Sequence, residues 1–399
     1  MIARASSLHD RQAIVRLKER ILGEIRAAAP FTLQEVSDPS GKGLPAVLVL
    51  TGGVEREVLK VVSELPSPTL LIAHDGHNSL PACLEILARI RQDGGEGEIL
   101  FGSPQAISAG LDRELRVAAA WEAVRFSRVG LIGEPSDWLV ASDVDRSFLK
   151  GQLGIELVEI PIDELVHAVK EADVPRKDAG RFAKEAGRTV EPDKDELRGA
   201  VALYTALKSL IEAYRLSACS VRCFDLITRI ENTGCYALSR LNDERIPAGC
   251  EGDLQALFTL FLGIAVSGQS AFMGNVASVD TDARTIGLAH CTCPLSLATS
   301  YAIRSHFESG IGVGIAASIP EGPCTVFRLG GERLDQLFVR EGRIVPSSSR
   351  EDLCRTQVQD EVTEPVEPLL TAPLGNHHIL VPGHHGAAIE RFFDRHLSP

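Results

Sequence analysis

No stretch of the 399-residue chain approaches the roughly 18 to 20 apolar residues that a membrane-spanning helix requires. The nearest candidate, Leu254 to Val266, is interrupted by Gln255, Thr259 and Gly263. The opening Met1-Ile2-Ala3-Arg4 lacks the apolar core of a secretory signal, so a cytoplasmic protein without a membrane partner is expected. Lysine and arginine form no run and the net charge is −13, which argues against a nucleic-acid partner. A disulfide framework is also missing. The nine cysteines, at 83, 219, 223, 235, 250, 291, 293, 324 and 354, are odd in number and scattered, which suggests reduced thiols. Cys291-Thr292-Cys293 has no C-x-x-C pair to complete a structural zinc site. The glycine-rich turns match neither G-x-G-x-x-G nor the Walker pattern, so nucleotide binding has little support. There is no internal repeat and no low-complexity tract. What remains, at 44% hydrophobic and 24% charged residues, is a soluble globular chain long enough for two or three domains.

The first part alternates strands and helices. A charged amphipathic helix over about 8–28 is followed by a polar loop through Pro39-Ser40-Gly41-Lys42-Gly43. Strands are expected at Ala46–Leu50, Thr69–Ala73 and Glu98–Phe101, with helices around Val58–Val62, at Pro81–Ile90 and over 104–126. Such alternation implies a parallel sheet covered on both faces. A second round begins at Arg128-Val129-Gly130-Leu131-Ile132-Gly133 and continues with the strand Ile155–Ile160 and the helix Pro161–Glu171. Residues 172–195, rich in charge, read as an exposed excursion. Leu197, Val201, Tyr204, Ile211 and Tyr214 then form one helical stripe. A strand at Ser220–Phe224 and a buried helix at Leu254–Val266 close this round. After about residue 270 the texture changes to short strands: Phe272–Val279, Thr285–His290, Cys324–Leu329, Leu337–Arg340 and Arg343–Val345. These suggest an antiparallel sheet or small barrel, closed by a helix over about 385–396. The expected organisation is therefore two Rossmann-like α/β domains, 1–127 and 128–270, followed by a β-rich domain, 271–399.

Four places could carry chemistry. In Pro247-Ala248-Gly249-Cys250-Glu251-Gly252-Asp253, Asp253 has a ready explanation as a helix cap, which fits Glu251 less well. The segment Gly274-Asn275 to Asp280 faces Gly287 to Pro294, which contains His290, across a predicted hairpin. Gly375-Asn376-His377-His378 carries adjacent histidines, of which at most one can serve a given face of a strand. His74-Asp75-Gly76-His77-Asn78-Ser79 ends a strand where open α/β sheets bind ligands, although Ser79 also suits a helix start. Glutamate and histidine drawn from separate elements point to a metal centre. A lone histidine, by contrast, is more often a satisfied structural group.

Gly130-Leu-Ile-Gly-Glu-Pro-Ser-Asp-Trp138, Pro247-Ala-Gly-Cys-Glu-Gly-Asp253, His290-Cys-Thr-Cys-Pro294 and Gly375-Asn-His-His378 resemble segments of the L-fucose isomerase and L-arabinose isomerase superfamily. The resemblance runs from about residue 128 to the C-terminus, and is weaker at Asn78-Ser-Leu-Pro-Ala-Cys-Leu-Glu85. It implies two α/β domains and a β-rich domain, assembled as a homotrimer or homohexamer with sites at subunit boundaries. It also implies a divalent cation, usually Mn²⁺, and interconversion of an aldose and a ketose through an enediol. Under it Glu251 is ligand and base, His378 the C-terminal ligand, and Asp253 and His290 substrate contacts, His290 also matching a ligand of the arabinose branch, with His77 or Asn78 supplied by a neighbouring subunit. One departure stands out. Asn275 occupies about the place of a second carboxylate, and an amide cannot act as a base, although its oxygen can still meet a hard cation. Two further readings follow from that departure: a sugar-binding relative without turnover, and a lyase or epimerase using the same enediolate chemistry.

Overall fold

The computed structural model describes residues 1–36, 43–346 and 349–398, so the expected polar loop lies outside the described residues except for Gly43. By contact the chain divides into two compact units, Met1–Ala118 and Ala119–Pro399. The first holds β1 (Ile2–Arg4), α1 (Arg11–Ala28), β2 (Ala46–Val49), α2 (Glu55–Val62), β3 (Thr69–Ile72), α3 (Ser79–Gln92), β4 (Gly97–Leu100) and the start of α4 (Pro104–Val124). The four strands lie parallel in the order β1-β2-β3-β4. Side chains alternate across the pleat, so each strand feeds two cores. Leu48, Leu70 and Ile72 pack with Leu22 and Ile25 of α1, while Val47, Val49 and Leu71 pack with Val58 and Ile86 of α2 and α3. The doubly covered parallel sheet expected here is present.

The second unit begins with β5 (Arg128–Ile132), α5 (Arg146–Gln152), β6 (Glu156–Ile160), α6 (Ile162–Glu171), α7 (Arg176–Glu185), β7 (Arg188–Thr189) and α8 (Lys194–Tyr214). It continues with β8 (Ala218–Val221), α9 (Phe224–Ile230), α10 (Cys235–Asp243), β9 (Ala248–Cys250) and α11 (Leu254–Ser267). A second parallel sheet runs β6-β5-β8-β9. Two expectations differ in detail. Residues 172–195 are exposed over most of their length, as expected, but they fold into α7 and β7 and send Val174, Phe182 and Ala186 into the core. The ring of Phe182 sits 3.9 Å from that of Tyr236. The strand expected to reach Phe224 stops at Val221, and Phe224 opens α9.

The remainder comprises β10 (Phe272–Asp280), β11 (Thr285–His290), β12 (Ser300–Arg304), β13 (Gly314–Ser318), β14 (Gly322–Gly330), β15 (Gln336–Val345), β16 (Thr356–Val362), α12 (Pro368–Thr371), β17 (His377–Pro382) and α13 (Gly386–His396). Six strands close into an antiparallel barrel in the order β10-β11-β16-β15-β14-β17, while β13-β12-β7 forms a small separate sheet. The two strands expected at 337–340 and 343–345 are one. Gly342 is not a turn residue: a Cβ there would stand 2.2 Å from the Glu361 carbonyl oxygen, so its glycine serves close strand approach. Among the described residues no helix is long and apolar enough to cross a membrane.

A carboxyl group is buried among the barrel strands. Asp360 lies opposite Ile286 and Ile344, fully buried, with Oδ1 3.5 Å from the Cys324 thiol and Oδ2 unpartnered. Burial pushes this group up to about 7. Its folded pKa therefore exceeds the unfolded one, and the stability it contributes is present below about pH 4 and lost as pH rises through about 7. The loss amounts to roughly 4 kcal/mol, at 1.36 kcal/mol for each pKa unit. Asp360→Asn is expected to be more stable than wild type at pH 8 and to show a flatter urea midpoint between pH 5 and 8. An unchanged pH profile in the variant would mean the carboxyl is not the group that titrates.

Candidate active site

The turn after β9 is conformationally expensive. Glu251 and Gly252 are both left-handed, with φ of 63° and 71°, before Asp253 starts α11. Gly252 must be glycine, since a Cβ would stand 2.7 Å from both the Glu134 oxygen and Pro135 Cα. Strain of this kind persists only where the surroundings over-determine it. Here the loop after β5 does so: Ser136 N–H donates to the Glu251 carbonyl at 2.8 Å, and Trp138 Nε1–H donates to Glu251 Oε2 at 2.6 Å. Glu251 is thereby held, 7% exposed, at the carboxyl ends of the parallel strands.

The barrel supplies the opposing side. In the β10–β17 ladder Asn275 pairs with His377 and Gly274 with His378. Directly opposed residues share a face, so His377 and Asn275 leave the sheet together while His378 leaves on the other side. The register therefore puts His377, rather than the expected His378, on the face of Asn275. His378 meets the Phe338 ring edge-on at 5.4 Å, burial pushes it down to about 3, and both its ring nitrogens are buried without a hydrogen-bond partner. His377 instead faces Glu251, with Nε2 3.6 Å from Oε1, while its Nδ1 meets Asp253 Oδ2 at 3.0 Å. His290, at the end of β11, completes the group. Its ring lies 5.5 Å from that of His377, and one donor atom from each of Glu251, His290 and His377 falls within 4.8 Å of the others.

Electrostatically the cluster is two carboxylates around an imidazole. Burial opposes charge on His377, but Asp253 and Glu251 outweigh it and raise the ring to about 9. Burial likewise opposes charge on the carboxylates. Contacts with His377 and Trp138 nevertheless keep Glu251 below its usual range, and Arg328 with His377 does the same for Asp253. His290 is pushed down to about 3 by burial and by His377, so it stays neutral. Its Nδ1 accepts the Thr292 N–H at 3.1 Å, which places the ring proton on Nε2.

A divalent cation fits Glu251 and His377. His377 Nε2 is buried without a hydrogen-bond partner, while its Nδ1 is engaged by a carboxylate, the arrangement that commonly orients a metal-binding imidazole. Asp253 is sealed. It is fully buried, Oδ1 caps α11 through Ala256 N–H at 2.7 Å, and Oδ2 meets His377 and Arg328. Both oxygens are engaged within the protein, which differs from the substrate contact expected of Asp253.

Asn275 Oδ1 accepts from Asn376 Nδ2 at 2.9 Å. A bulge between Val276 and Ser278 returns Asp280 to the face of Asn275, but the Asp280 carboxylate caps its own turn through Asp282 and Ala283 N–H. It does not replace the missing acid. His77 and Asn78 belong to the first unit, exposed and left-handed at φ of 53° and 58° in the loop after β3. Three residues at or near the site escaped the sequence reading. Trp138 reaches Glu251, His306 is close enough to feel its charge, and the fully buried Arg328 braces Asp253. Only Trp138 lay within a segment already singled out.

No protein-family model matches the chain. Among curated proteins, it is 27% identical over 249 residues to the sulfoquinovose isomerase of Clostridium sp. (strain MSTE9), covering 58% of this chain and 54% of that one. It is 23% identical over 307 residues to the sulfoquinovose isomerase of Alkalicoccus urumqiensis, covering 73% and 69% respectively. It is 24% identical over 242 residues to that of Priestia aryabhattai, covering 58% and 54%. In the first and third matches the chain spans about half the length of the relative. The proteins that this chain resembles, at low identity, are sugar isomerases.

Proposed function

We propose that this chain is an intramolecular oxidoreductase, a metal-dependent aldose–ketose isomerase of a fucose- or arabinose-isomerase-like kind. Its substrate is a sugar derivative, and the names of its relatives favour sulfoquinovose, a hexose carrying a sulfonate. The observation that carries the reading is the unpartnered, buried Nε2 of His377 facing Glu251. Glu251 and His377 would hold the cation, with Asn275 on the same face able to add its amide oxygen; Mn²⁺ suits this mixed oxygen and imidazole set. When bound, the ion supplies polarisation of the sugar carbonyl and its neighbouring hydroxyl.

The chain's own residues do the rest. Glu251 Oε2 is occupied by the Trp138 N–H, which leaves Oε1 to take a proton from C2 and return it to C1, while the hydroxyl proton on O2 passes to O1. Neutral His290, protonated on Nε2, donates to a substrate oxygen. Asp253 and Arg328 hold the His377 ring in place. Assembly as a trimer or hexamer, with His77 or Asn78 completing a neighbour's site, belongs to the same proposal.

Metal analysis together with proton exchange tests it. Purified protein loaded with Mn²⁺ and dialysed should retain about one ion for each chain. His377→Ala should lose the ion, and His378→Ala should keep it. Sulfoquinovose in D₂O should acquire deuterium at C1 or C2. Retention by His377→Ala with loss by His378→Ala would reverse the ligand assignment. Metal and sugar bound without exchange would favour the second reading that Asn275 suggests, a sugar-binding relative without turnover.

A further inference from the structure

We propose that Trp138 is the apolar wall on which the sugar stacks, a role that rests on the isomerase reading. Trp138 is 52% exposed, yet it is not a loose surface residue. Its N–H is bonded to Glu251 Oε2 at 2.6 Å, which sets the indole directly beside the carboxylate that carries the proton. Phe224 meets it edge-on at 4.9 Å, and His306 meets Phe224 in the same way at 5.5 Å. The three rings touch in series, each edge-on to the next. The loop beneath is pinned as well, by Ser136 N–H on the Glu251 carbonyl and by the Arg222 guanidinium on the Pro135 carbonyl and the Asp137 carboxylate.

Because the indole N–H is already engaged, Trp138 has only its ring to offer a ligand. A sugar presents complementary chemistry, with an apolar C–H face and hydroxyls around its edge. Binding sites for such molecules pair apolar surface with a few convergent polar groups, and here those groups are Glu251, His290 and Asn275. Stacking on Trp138 would hold C1 and C2 over Glu251 Oε1 and turn the hydroxyl edge toward the cation and His290. The wall selects by the shape of the C–H face, independently of any charged substituent on the sugar.

The chain has two tryptophans, which makes this testable directly. Trp121 lies elsewhere, stacked on His396 with ring centroids 4.0 Å apart. Trp121→Phe keeps an aromatic ring there and leaves Trp138 as the sole indole. Titration of that variant with sulfoquinovose in the presence of Mn²⁺ should give a saturable change in indole emission. In the two-tryptophan protein, Trp138→Ala should raise KM by ten- to a hundredfold. Trp138→Phe should keep KM within a few fold while lowering kcat, because the ring remains and the donor to Glu251 is lost. A structural role alone would not produce that split.

Deuterium exchange in Trp121→Phe without any change in emission would overturn the stacking role and leave the isomerase reading intact. An emission change without exchange would support the stacking role and remove the isomerase reading. Neither signal, with sulfoquinovose or with a panel of aldoses and ketoses, would remove both.

Discussion

Arg328→Met is expected to lower the unfolding free energy by about 3–5 kcal/mol, the range for stripping a buried charge of its partner. The Arg328 side chain is completely buried. It donates to the carbonyls of Leu374 and His377, to Ser142 Oγ at 3.2 Å and Gln255 Oε1 at 3.3 Å, and it stands 3.5 Å from Asp253 Oδ2. Methionine fills a similar volume but satisfies none of these acceptors. Asp253 would be left buried with only His377 and its own helix cap. Arg328→Met combined with Asp253→Asn should recover part of the loss, because the neutral amide no longer needs a counter-charge. Urea unfolding monitored by circular dichroism measures both variants. A single variant within 1 kcal/mol of wild type would show that the guanidinium is not what holds this corner together.

The same contact explains a motif that the sequence displays but does not interpret. A Cβ on Gly375 would stand 2.4 Å from Arg328 Nη2, and Gly375 has φ of 139°. The glycine before the histidine pair is therefore dictated by an arginine 47 residues earlier in the chain. Local pattern located β2 to β6 and β8, though not β1 or β9, and the α1, α8 and α11 helices, because their periodicity is carried by consecutive residues. It also located β10 and β11. It failed where a residue answers to a distant partner. Glu341-Gly342 looks like a turn, but Gly342 is small because β16 passes over it.

The histidine pair illustrates the same limit. Strand alternation states that His377 and His378 face opposite ways, but which one faces the site depends on the register of β10 and β17, about 100 residues apart. Glu251 was legible because helix capping did not explain it. Trp138 lay in a familiar segment, but its contact with Glu251 spans 113 residues of sequence. The bulge in β10 that turns Asp280 to the Asn275 face has no local signature that distinguishes it from regular strand.

On the proposed isomerase reading, Glu251→Gln should abolish most isomerisation, by a factor of at least about 10²–10⁴, the usual contribution of a positioned general base. The substitution keeps shape and volume. The amide oxygen can still accept the Trp138 N–H, and Gly252 keeps its close passage against Pro135, so the strained turn should survive. What disappears is the ability of Oε1 to hold a proton. His377 also loses one of the two carboxylates that raise it to about 9, which lowers its pKa and weakens the anionic side of the cation site. Sugar binding should persist if the ring rests on Trp138, so the emission change of a Trp121→Phe, Glu251→Gln double variant should remain while exchange at C1 and C2 disappears. Residual exchange within tenfold of wild type would mean the proton is carried elsewhere. Asp253 could not take over, being sealed against solvent with both oxygens engaged. Another carboxyl group that feels the charge of Glu251 is Glu308, which burial and that charge together push above its ordinary range. Neutralising Glu251 would remove one of those two causes and lower the Glu308 pKa. Substituting Glu308 in the Glu251→Gln background would then decide between one base and two.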